Sequence, residues 1–111
     1  MTEALATNDL ALAAKRFREF KADPINAYLN VEGIMNTFGY ELMRTNHLDQ
    51  AIEIFKLNVE AYPQSSNVYD SLGEAYMVNG EKAMAITNYK KSLELNPQNQ
   101  NGVAMLKKLE Q

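Results

Sequence analysis

The sequence repeats itself at an interval of 34 residues, and this repetition restricts the fold more than any other feature. Pro63 and Pro97 lie 34 residues apart, and residues 32–65 can be aligned with residues 66–99 at that offset. Seven further pairs of similar residues then coincide: Gly39 with Gly73, Ala51 with Ala85, Ile52 with Ile86, Phe55 with Tyr89, Asn58 with Ser92, Val59 with Leu93 and Ala61 with Leu95. Such a repeat is typical of chains in which each copy forms one supersecondary unit and buries its apolar face against a neighbouring copy.

Each copy has the pattern of two amphipathic helices. Apolar residues recur at steps of three and four, as at Leu72, Ala75 and Tyr76, and this period predicts helices. Turn-forming residues at 45–47 and 79–80 interrupt the two copies at the same place, and the prolines end the second helices because proline has no amide hydrogen. The sequence contains no alternating run of β-branched residues that would predict a strand. The fold class is therefore predicted to be all-α, built from helix–turn–helix hairpins.

Gly39 and Gly73 fall inside the predicted first helices, where a glycine costs about 1 kcal/mol relative to alanine. We interpret both glycines as positions where the second helix, which carries Ala51 or Ala85, packs unusually close. The aromatic residues of the hairpins are interpreted as core. Replacing Gly73 by leucine is therefore expected to lower the thermal unfolding midpoint.

These motifs resemble the tetratricopeptide repeat, whose signature combines an aromatic residue, Leu-Gly, tyrosine, alanine, phenylalanine and proline over about 34 residues. The second copy follows it closely and departs mainly at Ser92, where the family prefers alanine. The matching residues are Tyr69, Leu72, Gly73, Tyr76, Ala85, Tyr89 and Pro97. The first copy keeps Gly39, Ala51, Phe55 and Pro63, and has Met35, Phe38, Leu42 and Asn58 at other signature positions. The resemblance implies a right-handed helical-hairpin solenoid with full repeats at 32–65 and 66–99.

The two ends of the chain are predicted to differ from the full repeats. Residues 100–111 carry an apolar stripe with charged neighbours and are interpreted as a capping helix. Residues 1–31 are interpreted as a partial repeat and an extended connection, within which a long helix begins near Asn26 and continues to near Arg44. An exposed patch around Leu5, Phe17 and Phe20 would then form an interface. The alternative is one long helix over residues 2–20 that packs on the rest of the chain.

A second resemblance covers about residues 3–110. The runs at 58–63, 67–76 and 91–97 resemble the helical C-terminal extension of some bacterial serine hydrolases of the β-lactamase-like and α/β-hydrolase types. This resemblance implies an accessory tail whose catalytic serine lies in a preceding domain, and whose parent enzyme is exported. If the chain is complete, it is instead expected in the cytoplasm.

The inventory of reactive groups predicts no catalytic, cofactor or metal site. The chain has no cysteine, one histidine, and neither a Gly-x-Ser-x-Gly motif nor a glycine-rich phosphate loop. His47 lies in a predicted turn, where an exposed histidine is the ordinary interpretation. The net charge of −3 gives no reason to expect a nucleic acid partner, and no apolar run approaches the roughly 18 residues that a membrane span needs.

The inner face of the predicted stack remains as a candidate binding surface, because in this architecture the first helices of successive hairpins line a concave groove. The predicted lining residues are Asn36, Tyr40, Met43, Arg44, Asn67, Asp70, Ser71, Glu74, Met77, Met105 and Lys108. Methionines give adaptable apolar contact, and asparagines pair with a peptide backbone. Some family members hold a C-terminal carboxylate with a lysine–asparagine pair, but the matching positions here are Asn36 and Tyr40.

The predicted function is a non-catalytic protein-interaction module, with the C-terminal appendage of a larger bacterial hydrolase as the favoured context. Its partner would then be its own missing catalytic domain or another protein. Two alternatives stay open at this point: a free-standing adaptor that binds a peptide in the groove, and a homodimerisation module that pairs through its N-terminal end.

Overall fold

The computed structural model describes residues 10–24 and 30–110. Within these ranges the chain forms six helices and no strand. The helices are α1 (Leu10–Ala22), α2 (Val31–Arg44), α3 (Leu48–Ala61), α4 (Ser66–Val78), α5 (Lys82–Leu95) and α6 (Gln100–Leu109). The prediction of an all-α fold is confirmed.

The chain divides into two compact units, Met1–Leu57 and Asn58–Gln111, with the boundary inside α3. We call them unit 1 and unit 2. Unit 1 contains α1, α2 and most of α3. Unit 2 contains the end of α3 and the whole of α4, α5 and α6.

The core of unit 1 is built where α2 meets α3. Phe55 of α3 is fully buried, and its ring lies so close to Gly39 that a Cβ atom at that position would overlap it. Tyr40 packs on the same ring edge to face, with the ring centroids 5.2 Å apart. Since Ala51 is also fully buried, small residues on both helices bring the two backbones together.

The start of α2 corrects the prediction of a long helix from near Asn26. The helix begins at Val31, and the side chain of Asn30 accepts a hydrogen bond from the Gly33 amide at 2.9 Å. This N-cap satisfies an amide that has no partner within the helix, which explains why the 14-residue helix α2 starts at Val31.

The N-terminal prediction is only partly within the described residues. Phe17 of α1 is buried and Phe20 is 41% exposed. Leu5, and the first half of the alternative helix over residues 2–20, lie outside the described residues.

The core of unit 2 repeats the arrangement of unit 1 with looser contact at the glycine. Tyr89 and Ala85 of α5 are fully buried, and a Cβ atom on Gly73 of α4 would lie 3.2 Å from the Tyr89 ring. Gly80 in the α4–α5 turn has φ 80°, and Asn46 in the α2–α3 turn has φ 67°. Both turns therefore use a residue type that tolerates the left-handed region.

Helix α6 occupies the place predicted for a capping helix. Gly102 is its one buried residue, and a Cβ atom there would lie 3.2 Å from Cγ of Leu93 on α5. Asn99 caps the helix by accepting a hydrogen bond from the Gly102 amide at 3.2 Å. Leu106 and Leu109 are half-buried, and they share a face with Gly102 because residues four and seven positions apart lie on one side of a helix.

Candidate functional site

Asp70 of α4 is the centre of a polar network in unit 2. One carboxylate oxygen accepts a hydrogen bond from Asn99 Nδ2 at 2.8 Å, and the other accepts one from Asn101 Nδ2, also at 2.8 Å. Asn99 Nδ2 is also 2.9 Å from the Ser92 hydroxyl. The predicted groove residue Asp70 therefore holds the start of α6 against α4.

Ser92, which departs from the alanine of the repeat signature, pairs with Ser66 at the start of α4. The two hydroxyls are 2.7 Å apart, and each is also within 2.9 Å of the other residue's carbonyl oxygen. Ser92 is fully buried, so its hydroxyl requires such partners. The pair ties the end of α5 to the start of α4.

Sequence reasoning missed the contributions of Asn99, Asn101, Ser66 and Ser92 to this network. Two signals were available. Asn99 stands just before a helix and three residues before Gly102, which is the pattern of an N-cap. Ser92 puts a hydroxyl where the repeat buries a methyl group, which implies a polar partner.

The contact between Asn101 and Asp70 orients the exposed faces of α4 and α6. Glu74 and Met77 follow Asp70 by four and seven residues, and Met105 and Lys108 follow Asn101 by the same steps. Residues at these steps share a helix face, so both stripes continue from the contact point. Glu74, Met77 and Met105 are half-buried and Lys108 is exposed. We call these four residues, together with Asp70, Asn101 and the exposed Asn67, the α4–α6 surface.

Ser71 does not belong to this surface. Its side chain is 2% exposed, because the position lies on the side of α4 that also carries the buried residues Val68, Leu72 and Ala75. The prediction that Ser71 lines a groove is therefore corrected.

The predicted residues of unit 1 form a second, smaller stripe on α2. Asn36, Tyr40 and Met43 are half-buried, and they share one face of the helix. Arg44 is exposed and forms an ion pair with Glu41 one turn earlier. An anionic ligand would have to compete with Glu41 for this guanidinium group.

A shallow depression of about 420 Å³ lies elsewhere on unit 1, at the start of α2. It is lined by Asn30, Gly33, Ile34 and Thr37, none of which was predicted as a site residue. Neutral amide, hydroxyl and alkyl groups line it, and these offer neither a nucleophile with a base nor a set of metal ligands.

The described residues offer little else for catalysis, metal binding or membrane insertion. Nδ1 of His47 is 3.1 Å from the Thr45 hydroxyl in an exposed turn. Over residues 10–24 and 30–110, no three acidic or histidine side chains are grouped as metal ligands would be. In the same ranges no helix is both long enough and apolar enough to cross a bilayer.

Comparison with known proteins identifies the repeat. Residues 66–99 match the family model of the tetratricopeptide repeat. Comparison with curated proteins gives no match. Two solved structures similar to this chain are the first tetratricopeptide domain of Spaghetti (RPAP3) bound to the HSP90 peptide SRMEEVD and the crystal structure of MamA.

The similarity to both structures extends over nearly the whole sequence. For the Spaghetti domain the TM-score is 0.68 at 19% identity, covering 98% of this chain and 83% of that one. For MamA the TM-score is 0.66 at 24% identity, covering 96% of this chain and 60% of that one. Similarity at these identities establishes the fold. Residues 66–99 are thus a tetratricopeptide repeat, and the chain has the all-α fold of tetratricopeptide repeat proteins.

Proposed function

We propose that this chain is a non-catalytic protein-interaction module that binds a peptide segment of another protein on the α4–α6 surface. The observation that carries the proposal is the hydrogen bond from Asn101 to Asp70, which joins α6 to α4 at the residues from which the stripes with Met105 and Met77 continue. A similar fold binds a peptide in the Spaghetti structure, which supports this class of ligand.

The composition of the surface suits an extended or helical peptide. Met77 and Met105 offer flexible, partly exposed thioether side chains that adapt to different apolar groups. Exposed Asn67 offers an amide that can donate to and accept from a peptide backbone. The hydrogen bonds from Asn99 and Asn101 to Asp70 hold α4 and α6 in place, which lowers the entropy cost of binding.

The proposal is tested by selecting ligands from a phage-displayed library of random dodecapeptides. One selected peptide is synthesised with a fluorescein label, and its affinity is measured by anisotropy. The double substitution of Met77→Ala and Met105→Ala is expected to weaken binding about tenfold, since each side chain loses roughly 0.7 kcal/mol of apolar contact. Met84→Ala is the matched control, because Met84 is 44% exposed on α5 and lies outside the surface.

Circular dichroism and thermal melting establish that each variant folds. Retained affinity in the double variant would place the binding site elsewhere on the chain, and failure of any peptide to be enriched would overturn peptide binding. The stripe on α2 is tested in parallel by Tyr40→Phe. Tyr40→Ala would be less informative, because it would also remove the ring contact with Phe55. A loss of binding could then result from a loss of stability.

The context of the module is a finer part of the proposal. The resemblance of residues 3–110 to the C-terminal extension of bacterial serine hydrolases supports an appendage that contacts its own catalytic domain. An antibody to the purified chain tests this in the source organism. An antigen several times heavier than 12.5 kDa supports the appendage, whereas a 12.5 kDa antigen in the cytosol supports a free adaptor.

Self-association is the competing proposal, and the partial exposure of Phe20 on α1 favours testing it. Light scattering over a concentration series measures the mass directly. A single species of 12.5 kDa at all concentrations would overturn a homodimer.

A further inference from the structure

We propose that Met77 and Met105 are oxidation sites through which a hydroperoxide weakens peptide binding on the α4–α6 surface. This inference rests on the proposed function and adds a means of regulation to the same surface. It identifies two modification sites and the chemical class of the reagent that acts on them.

The methionines differ sharply in exposure, which sets the order in which they react. Five of the six lie in the described residues. Met35 is 1% exposed in the core of unit 1, Met84 is 44% exposed on α5, and Met43, Met77 and Met105 are half-buried. A peroxide is therefore expected to reach Met84 first, Met43, Met77 and Met105 next, and Met35 last.

The reaction itself is a transfer of one oxygen atom. The thioether sulfur attacks one oxygen of hydrogen peroxide, an S–O bond forms, and the O–O bond breaks. Sulfur loses two electrons, the other peroxide oxygen leaves as hydroxide, and this hydroxide takes up the proton of the oxygen now bound to sulfur, which gives the sulfoxide and water. The chain contains no cysteine, so no thiol on the same molecule competes for the oxidant.

The consequence for binding follows from the polarity of the product. The sulfoxide replaces a flexible apolar side chain by a polar one, and a peptide that covers it must desolvate the new oxygen. The α4–α6 surface has one such position on each helix, Met77 on α4 and Met105 on α6. Met84 lies outside it, so its oxidation is expected to leave binding unchanged.

The experiment uses the labelled peptide selected by the untreated protein, in a form that contains no methionine. The full chain is treated with hydrogen peroxide, the peroxide is removed with catalase, and peptide mapping by mass spectrometry gives the sulfoxide fraction at each methionine. Anisotropy then gives the affinity before and after treatment. A loss of about tenfold is expected once Met77 and Met105 are converted.

Two variants show which methionines cause the loss of affinity on oxidation. The measured quantity is the ratio of affinities of treated and untreated protein, so any change caused by the substitution itself cancels. Met84→Leu is expected to show the same ratio as the natural sequence. The double substitution Met77→Leu and Met105→Leu is expected to show a ratio near one. Circular dichroism after treatment distinguishes loss of the surface from loss of the fold.

The possible results separate this inference from the proposed function. Unchanged affinity with Met77 and Met105 fully oxidised overturns the inference and leaves peptide binding intact, as does equal sensitivity in the double leucine variant. If untreated protein binds no peptide, both proposals fail. A ratio that is restored towards one by methionine sulfoxide reductases supports a reversible switch.

Discussion

Gly39 and Gly73 hold matching positions in the two copies of the repeat, yet they differ in the space that surrounds them. At Gly39 the Phe55 ring lies where a Cβ atom would be, whereas at Gly73 the Tyr89 ring leaves 3.2 Å. Both rings are fully buried and cannot turn away into solvent. The helix-propensity cost of the two glycines is equal, so their packing decides how far each can be replaced.

We therefore expect Gly39→Ala and Gly73→Ala to have different effects on the free energy of unfolding. Gly73→Ala gains about 1 kcal/mol of helix propensity against a slight shift of the Tyr89 ring, and its net effect should be close to zero. Gly39→Ala must displace a buried ring, which typically costs about 1–3 kcal/mol, and should be less stable than Gly73→Ala by at least about 1 kcal/mol. Urea unfolding of both variants measures the difference. Equal destabilisation would contradict this account of the contacts.

At the scale of the helix, α6 is held by polar contacts as well as by apolar packing. Gly102 is its only buried residue, and its N-terminal end is joined to Asp70 by two amide hydrogen bonds. Hydrogen bonds to a charged group contribute about 1.5–3 kcal/mol when buried, and these two are only partly buried or exposed.

Asp70→Ala is therefore expected to loosen α6 more than it affects the rest of unit 2. It removes the acceptor of both amides and should cost about 1–2 kcal/mol after allowance for exposure. Hydrogen exchange read by mass spectrometry should show faster exchange in residues 100–109. Glu94→Ala is the control, since Glu94 forms an exposed ion pair with Lys91 and its loss should change stability by less than about 0.5 kcal/mol. An unchanged rate of hydrogen exchange in α6 would contradict the proposed role of Asp70.

The helices could be predicted from the sequence wherever periodicity, turn residues and prolines agreed, as they do for α4 and α5. The start of α2 could not, because the sequence predicted a helix from near Asn26, while the Asn30 side chain caps the helix at Val31. Helical spacing predicted that Asp70 lies on the groove face of its helix. It could not predict that Asn99 and Asn101 donate hydrogen bonds to the two carboxylate oxygens. Long-range side-chain pairs of this kind leave no periodic signal.

At the scale of the whole molecule, a shared fold does not imply a shared binding chemistry. The chain shares its fold with the Spaghetti domain over 98% of its length at 19% identity, so most surface residues differ. This chain has a net charge of −3, and α4 carries Asp70 and Glu74 with no lysine or arginine. Asn36 and Tyr40 of α2 carry no positive charge, and Arg44 is paired with Glu41.

The HSP90 peptide SRMEEVD is therefore expected to be a poor ligand of this chain, although it occupies a similar fold. Its acidic side chains and terminal carboxylate would meet Asp70 and Glu74 of α4, so an analogue without acidic groups, SRMQQVN with an amidated end, should bind several-fold more tightly. Anisotropy with both labelled peptides measures the ratio at about 10 mM and about 150 mM salt, where the Debye length falls from about 30 Å to about 8 Å. The ratio should shrink as salt screens the repulsion. Tighter binding of the acidic peptide, strongest at low salt, would show instead that cations such as Lys108 dominate the surface and that the peptide chemistry of the two folds is shared.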